Sequence, residues 1–250
     1  NFLLAILIFA FIYMFIGKDF TPAQIQEVQP ATPAYEAGMK PGDIIKSIND
    51  KEVKSIMEVS AFINSSASKS IDIGIIRNDS ELTFSLEPKV IVSEDSLGNK
   101  VNKKIIGIKI APLNEEINKK RLGPATALFY AVKETWFVID ASWSFIISMF
   151  KGTGDTTQLG GPIKIAKITG QVAKLGFIAF LSIMAYISIS LGFINLLPIP
   201  MLDGGHLMFY AFEKVLGRPL SQKTQEGFFR IGLVLLISLM FFTTFNDLKD

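Results

Sequence analysis

The apolar residues of this chain fall into blocks of different period. Residues 2–16 (Phe-Leu-Leu-Ala-Ile-Leu-Ile-Phe-Ala-Phe-Ile-Tyr-Met-Phe-Ile) carry no polar interruption. At 1.5 Å per residue they predict a helix of about 22 Å, short of the roughly 30 Å hydrocarbon core of a bilayer. The basic leader and small-residue cleavage site of a signal peptide are missing around this run. The expectation is a transmembrane helix over 1–17 whose first turns precede Asn1. Leu175 to Leu202 has no charged residue, and neither has Ile231 to Asn246. Both runs predict spans. Residues 122–150 are mixed: Lys133, Glu134 and Asp140 interrupt the pattern, while Trp136 and Trp143 share a helical face. That pattern fits a helix lying at the membrane interface better than a fourth span.

Between the first and second blocks the period shortens. Gln24–Val28, Asp43–Ile48 and Ile105–Ala111 predict strands, Ile56–Asn64 a helix, and Ser70–Ile76 with Leu82–Leu86 a hairpin turning at Asn78-Asp79. Residues 93–104, rich in Gly, Asn and Lys, predict a flexible loop.

Composition narrows the chemistry. Of 250 residues, 49% are apolar and 19% charged, with a mean hydropathy of +0.39, unusual for a soluble globular chain. Cys is absent and His occurs once, which excludes a disulfide framework, a thiolate metal cluster and any site needing two imidazoles from this chain. A net charge of +2 gives no argument for nucleic acid. Lys214, Arg218, Lys223 and Arg230 crowd the connection between the last two runs. The positive-inside rule keeps that connection in the cytoplasm and puts residues 18–120 outside.

Candidate chemistry concentrates in Gly192 to His206. Pro198 and Pro200 remove two amide donors and break a helix. Asn195 precedes the break, and Asp203 follows it with Gly204 and Gly205. Unwound backbone and a carboxylate at membrane depth point to an ion or a function. An Asp capping the next helix fits the same residues equally well.

The run Asn195-Leu-Leu-Pro-Ile-Pro-Met-Leu-Asp-Gly-Gly-His206 resembles the Asn-x-x-Pro-x-Pro-x-Leu-Asp-Gly-Gly motif of the site-2 protease family of intramembrane zinc metalloproteases, in its bacterial regulator of sigma-E protease branch. Gly160-Gly161-Pro162-Ile163-Lys164-Ile165-Ala166 and Phe245-Asn246-Asp247 resemble further segments of that branch. The resemblance implies that Asp203 is a zinc ligand and that Asn195, with Pro198 and Pro200, holds the substrate strand. It also implies that residues 122–151 lie beside the membrane and help gate substrate. The family's remaining ligands and its general base come from a His-Glu-x-x-His helix, and no such pattern occurs in these residues. The expectation is that this chain alone is inactive and that the motif precedes it. His206 is expected to serve packing or a hydrogen bond rather than a metal.

Thr32 to Ile45, with its Ala-Gly-Met-Lys-Pro-Gly-Asp turn, resembles a bacterial, circularly permuted PDZ domain. By that resemblance Ile106, Gly107 and Ile108 form the loop before a peptide-binding strand that takes chain ends. The fold class expected is a multi-domain membrane protein, an α-helical transmembrane bundle with an inserted α+β PDZ domain. Its divisions are a truncated helix (1–17), the PDZ-like block (18–120), an interfacial helix with the Gly-Gly-Pro segment (121–170) and a C-terminal half (171–250). A single-span, anti-sigma-factor-like membrane substrate, membrane lipid, a peptide C-terminus and zinc are the implied partners, in a bacterial inner membrane. The alternative is a non-catalytic PDZ-containing membrane scaffold.

Overall fold

The computed structural model describes residues 1–66, 68–94, 100–112, 118–152 and 160–249. Its contacts divide the chain into two units, Phe9–Gln158 and Asn1–Ile8 with Leu159–Asp250. One helix, α1 (Phe2–Phe15), runs through the boundary at Ile8 and Phe9.

In the first unit the strands are β1 (Lys18–Asp19), β2 (Ala23–Val28), β3 (Ile44–Ile48), β4 (Lys51–Glu52), β5 (Ile71–Arg77), β6 (Ser80–Leu86), β7 (Lys89–Glu94), β8 (Lys100–Ile105), β9 (Ile108–Pro112) and β10 (Lys119–Lys120). The helices are α2 (Pro33–Glu36), α3 (Ile56–Ser65) and α4 (Pro124–Phe150). The main sheet runs in the order β6-β5-β3-β2-β9, with β4 added to β3. Alternation decides which side chains enter its core. Ile71, Ile73 and Ile75 of β5 are all buried, and they pack with Ile25, Ile45, Ile48, Val59 and Ile106. Ile45 and Ile48 are three apart, which strict alternation forbids. A register shift between Ile45 and Ser47 restores both to the core face. Asn78 and Asp79 take φ of 49° and 61°, the left-handed pair that a tight hairpin turn demands.

The expected loop over 93–104 is corrected. Ser93 and Glu94 end β7, and residues 100–104 belong to β8, which pairs with it from Lys89↔Ile105 to Glu94↔Lys100. The β-branched run Val90-Ile91-Val92 outweighs the polar composition of its partner. Residues 95–99 lie outside the described set. The last strand also starts later than expected, at Ile108, because Ile105 closes β8 and Gly107 turns the chain with φ of 83°.

The second unit contains α5 (Pro162–Lys174), α6 (Phe177–Leu196), α7 (Asp203–Leu216) and α8 (Gln222–Lys249). The Gly-Gly-Pro segment therefore opens a helix, with Pro162 at its first position, where a missing N–H costs nothing. The prolines end α6, and Gly217, with φ of 66°, closes α7. Among the described residues two helices are long and apolar enough to cross a membrane, Phe177–Leu196 and Gln222–Asp247. Helix α1, at 14 residues, falls short of that length. Helix α4 has 27 residues but carries three charges, and its exposed Phe129, Val132, Trp136 and Trp143 form one stripe.

Candidate functional site

The sequence motif lies on a broken helix. Helix α6 stops at Leu196, and the chain unwinds through Pro198, Ile199, Pro200 and Met201 before α7 begins at Asp203. Within the loop, the Ile199 N–H donates to the Leu197 carbonyl at 2.7 Å and the Leu202 N–H to the Ile199 carbonyl at 3.1 Å. Met201 takes φ of 84°, an uncommon value for a side chain of its size. Pro200 is buried, Pro198 is exposed, and Asn195 is half-buried on the last turn of α6.

Glycines flatten the surfaces on which this loop lies. A Cβ added to Gly204 would fall on the Leu196 and Leu197 carbonyl oxygens, and one on Gly205 would fall on that of Ile199. The two glycines after Asp203 are thus a condition of the loop's path. Asp203 occupies the first helical position of α7 with its carboxylate exposed. The N-cap position is taken by Leu202, which has no side-chain acceptor, while the Asp203 carboxylate stands in the first turn, where the helix dipole favours it. The ring of His206 packs 5.4 Å from that of Phe229 and 6.4 Å from that of Phe209, in keeping with a packing role.

A metal needs more than this. Three protein ligands are the norm at a catalytic zinc, and among the described residues no group of three His, Cys, Asp or Glu side chains converges. Asp203 supplies one carboxylate. The residues present do not by themselves fit a zinc ion.

The second expected site is a groove of about 290 Å³ between α3 and β9. Ile106, Gly107 and Ile108 all line it, with Val59, Ile63 and Lys104. Strand β9 pairs with β2 along one edge and ends the sheet order among the described residues. Gly107 is required by space as well as by φ, since a Cβ there would strike the Thr32 side chain. The Lys104 amine donates to the Ser66 carbonyl at 2.7 Å, and burial lowers its pKa.

The chain belongs to peptidase family M50. The family model described as "Peptidase family M50" matches residues 1–239. A candidate zinc metalloprotease of Mesorhizobium japonicum is 38% identical over 251 residues, covering 99% of this chain and 68% of that protein. The regulator of sigma-E protease of Escherichia coli strain K12 is 36% identical over 234 residues, 92% of this chain and 51% of its own length. A Brucella suis relative, also named as a candidate zinc metalloprotease, is 36% identical and covered over 65% of its length. This M50 chain thus spans about two thirds of the first relatives and about half of the Escherichia coli protein. The PDZ domain of an SdrC-like protein from Listeria monocytogenes aligns with 36% of the M50 chain and 88% of its own, at 22% identity and a TM-score of 0.27. A score that low carries no fold assignment.

Three features of the M50 chain escaped the sequence reading. Asp43, buried, holds Arg77 through two bonds of 2.7 and 2.8 Å and also accepts the Lys40 N–H, and this pairing raises the Arg77 pKa. Asp247, also buried, accepts N–H bonds from Gly161, Ile163 and Lys164 at 2.8, 3.1 and 3.0 Å. The Gly-Gly-Pro-Ile and Phe-Asn-Asp segments, distant in sequence, are two halves of one helix cap. Finally, Lys18 pairs with Glu134 at 2.9 Å, with the Tyr13 hydroxyl donating to the same carboxylate. Spacing could reveal none of these, since each joins residues more than 30 positions apart.

Proposed function

We propose that this chain is a PDZ-bearing part of a membrane-embedded zinc metalloprotease that cuts single-span membrane proteins, of the anti-sigma-factor kind, within the bilayer. The observation that carries the reading is the break between α6 and α7, with Asn195 on one side and the exposed Asp203 on the other. Unwound backbone offers free N–H and carbonyl groups to an extended substrate strand. Asn195 would hold that strand, while Pro198 and Pro200 keep the loop from re-forming helix. Asp203 would give one ligand to a zinc ion completed by residues beyond these 250. When bound, zinc supplies Lewis-acid activation of water.

The groove at Ile106, Gly107 and Ile108 would admit an extended peptide end and so select substrates already trimmed outside the membrane. Helix α4 would lie on the lipid surface with its Trp136 and Trp143 stripe inward, in a bacterial inner membrane with the PDZ-like domain on the extracytoplasmic side. The basic connection from Lys214 to Lys223 supports that orientation.

The test is cleavage of a reporter single-span protein by the complete natural protease in vesicles. Asp203→Asn is expected to lower cleavage by roughly 100-fold or more and Asn195→Ala by about 10-fold or more. Unchanged cleavage in Asp203→Asn overturns the ligand role. No cleavage by the parent protein favours the non-catalytic scaffold.

A further inference from the structure

Gly232 lies outside every motif the sequence singles out, in the apolar stretch of α8. A glycine there weakens the helix interior relative to alanine. The structure gives a reason for it. A Cβ added at Gly232 would fall on the Pro200 carbonyl oxygen and within 2.7 Å of both the Pro200 carbonyl carbon and its Cβ. These are backbone and ring atoms, which cannot swing aside as a flexible side chain would. Gly227, one and a half turns earlier on the same helix, would meet nothing within 4 Å.

The hydrogen bonds that shape the loop Gly232 touches are local ones, such as Ile199 N–H to the Leu197 carbonyl and Leu202 N–H to the Ile199 carbonyl. Pro198 and Pro200 have no N–H to give, and Met201 is held at a φ of 84°. Gly204 and Gly205 flatten the following helix against the same loop, but they move with the loop because they continue it. Gly232 reaches it from a separate helix.

We infer that Gly232 is a positioning residue. Its bare α-carbon lets α8 lie against the Pro200 carbonyl, and that seat sets where Asn195 and Asp203 stand on either side of the break. The seat itself is geometric; its consequence for cleavage rests on the function proposed above. Helix α8 thereby belongs to the working part of the molecule although it carries none of the motif.

These 250 residues contain no Cys, so once any Cys elsewhere in the complete protein is replaced by Ser, a single introduced thiol reports on the loop. In the complete natural protein, labelling of Ile199→Cys by a small maleimide is expected to rise about tenfold when Gly232→Ala is added. Reporter cleavage should fall in parallel through kcat with little change in KM, as for a displaced catalytic loop. Gly227→Ala should alter neither readout. Unchanged Ile199→Cys labelling in Gly232→Ala, or an equal rise in Gly227→Ala, overturns the inference. A rise confined to Gly232→Ala with cleavage intact keeps the seat and refutes the loop's catalytic role. If Gly232→Ala does not accumulate, the parent decides. Ile199→Cys, part-buried beside the seat, should label more slowly than the exposed Leu196→Cys, and equal or faster labelling contradicts the seat.

Discussion

The isoleucine core of the first unit and the proline loop of the second are held in place by opposite means. In the core, side-chain bulk does the work: Ile25, Ile45, Ile48, Ile71, Ile73 and Ile75 interlock, each no more than 2% exposed. At the loop, bulk is what the structure excludes, since Gly204, Gly205 and Gly232 admit backbone carbonyls where any side chain would collide. Hydrophobic burial stabilises a domain surrounded by water. It gives no such drive between helices in lipid, where close approach of small residues takes over. Under the proposed function, the same chain would answer two solvents with two packing rules.

Each unit also holds a buried carboxylate that accepts backbone N–H bonds, and three substitutions sharpen the comparison. The largest effect is expected at Asp43, whose carboxylate is the buried hub of the Gly38–Gly42 turn. Asp43→Ala removes the carboxylate partner of Arg77, leaving it the Gly38 carbonyl, and should cost the first unit about 3 kcal/mol, read as faster hydrogen exchange at the β5 amides. A smaller loss is expected at Asp247. Asp247→Ala removes the acceptor of three helix N–H groups and should destabilise the second unit by about 1–2 kcal/mol, with exchange rising at Ile163 and Lys164 but not in β5. If Asp247→Ala instead loosened β5, the two regions would not be independently held.

The smallest effect concerns Glu58, on the first turn of α3. It accepts the Lys54 N–H at 2.7 Å. Burial raises its pKa, partly offset by that bond and by Lys18 and Lys54. A raised carboxyl pKa favours the protonated form in the fold. Its contribution is therefore full below the ordinary carboxylate range and lost as pH rises through the raised value. Glu58→Gln, which keeps an acceptor oxygen, should flatten that part of the stability–pH curve. An unchanged slope would assign the pH dependence elsewhere.

Much of this was legible in the sequence because it is local. The alternation of Ile71, Ile73 and Ile75, the Asn78-Asp79 turn, the helix from Ile56 and the break at Pro198 each depend on neighbours within a few positions. The motif residues Asn195 and Asp203 were legible for the same reason, as a helix stop followed by a helix start. The β7–β8 ribbon was misread because lysine and asparagine count against strand propensity until a partner strand is known. Gly232, the Asp43–Arg77 pair and the Asp247 cap were out of reach. Each is defined by what it meets across the fold, and a glycine in an apolar run looks the same whether its missing Cβ matters or not. The contrast between Gly227 and Gly232 makes the point on a single helix.

The proposal that joins these elements is that the seated loop presents Asp203 to a metal. It is tested most directly by zinc content of the complete natural protein, purified with and without Asp203→Asn and measured by mass spectrometry. The account predicts about one zinc per chain in the parent and a fall of roughly tenfold or more in the variant, with β5 hydrogen exchange unchanged. Equal zinc in the two proteins would contradict it.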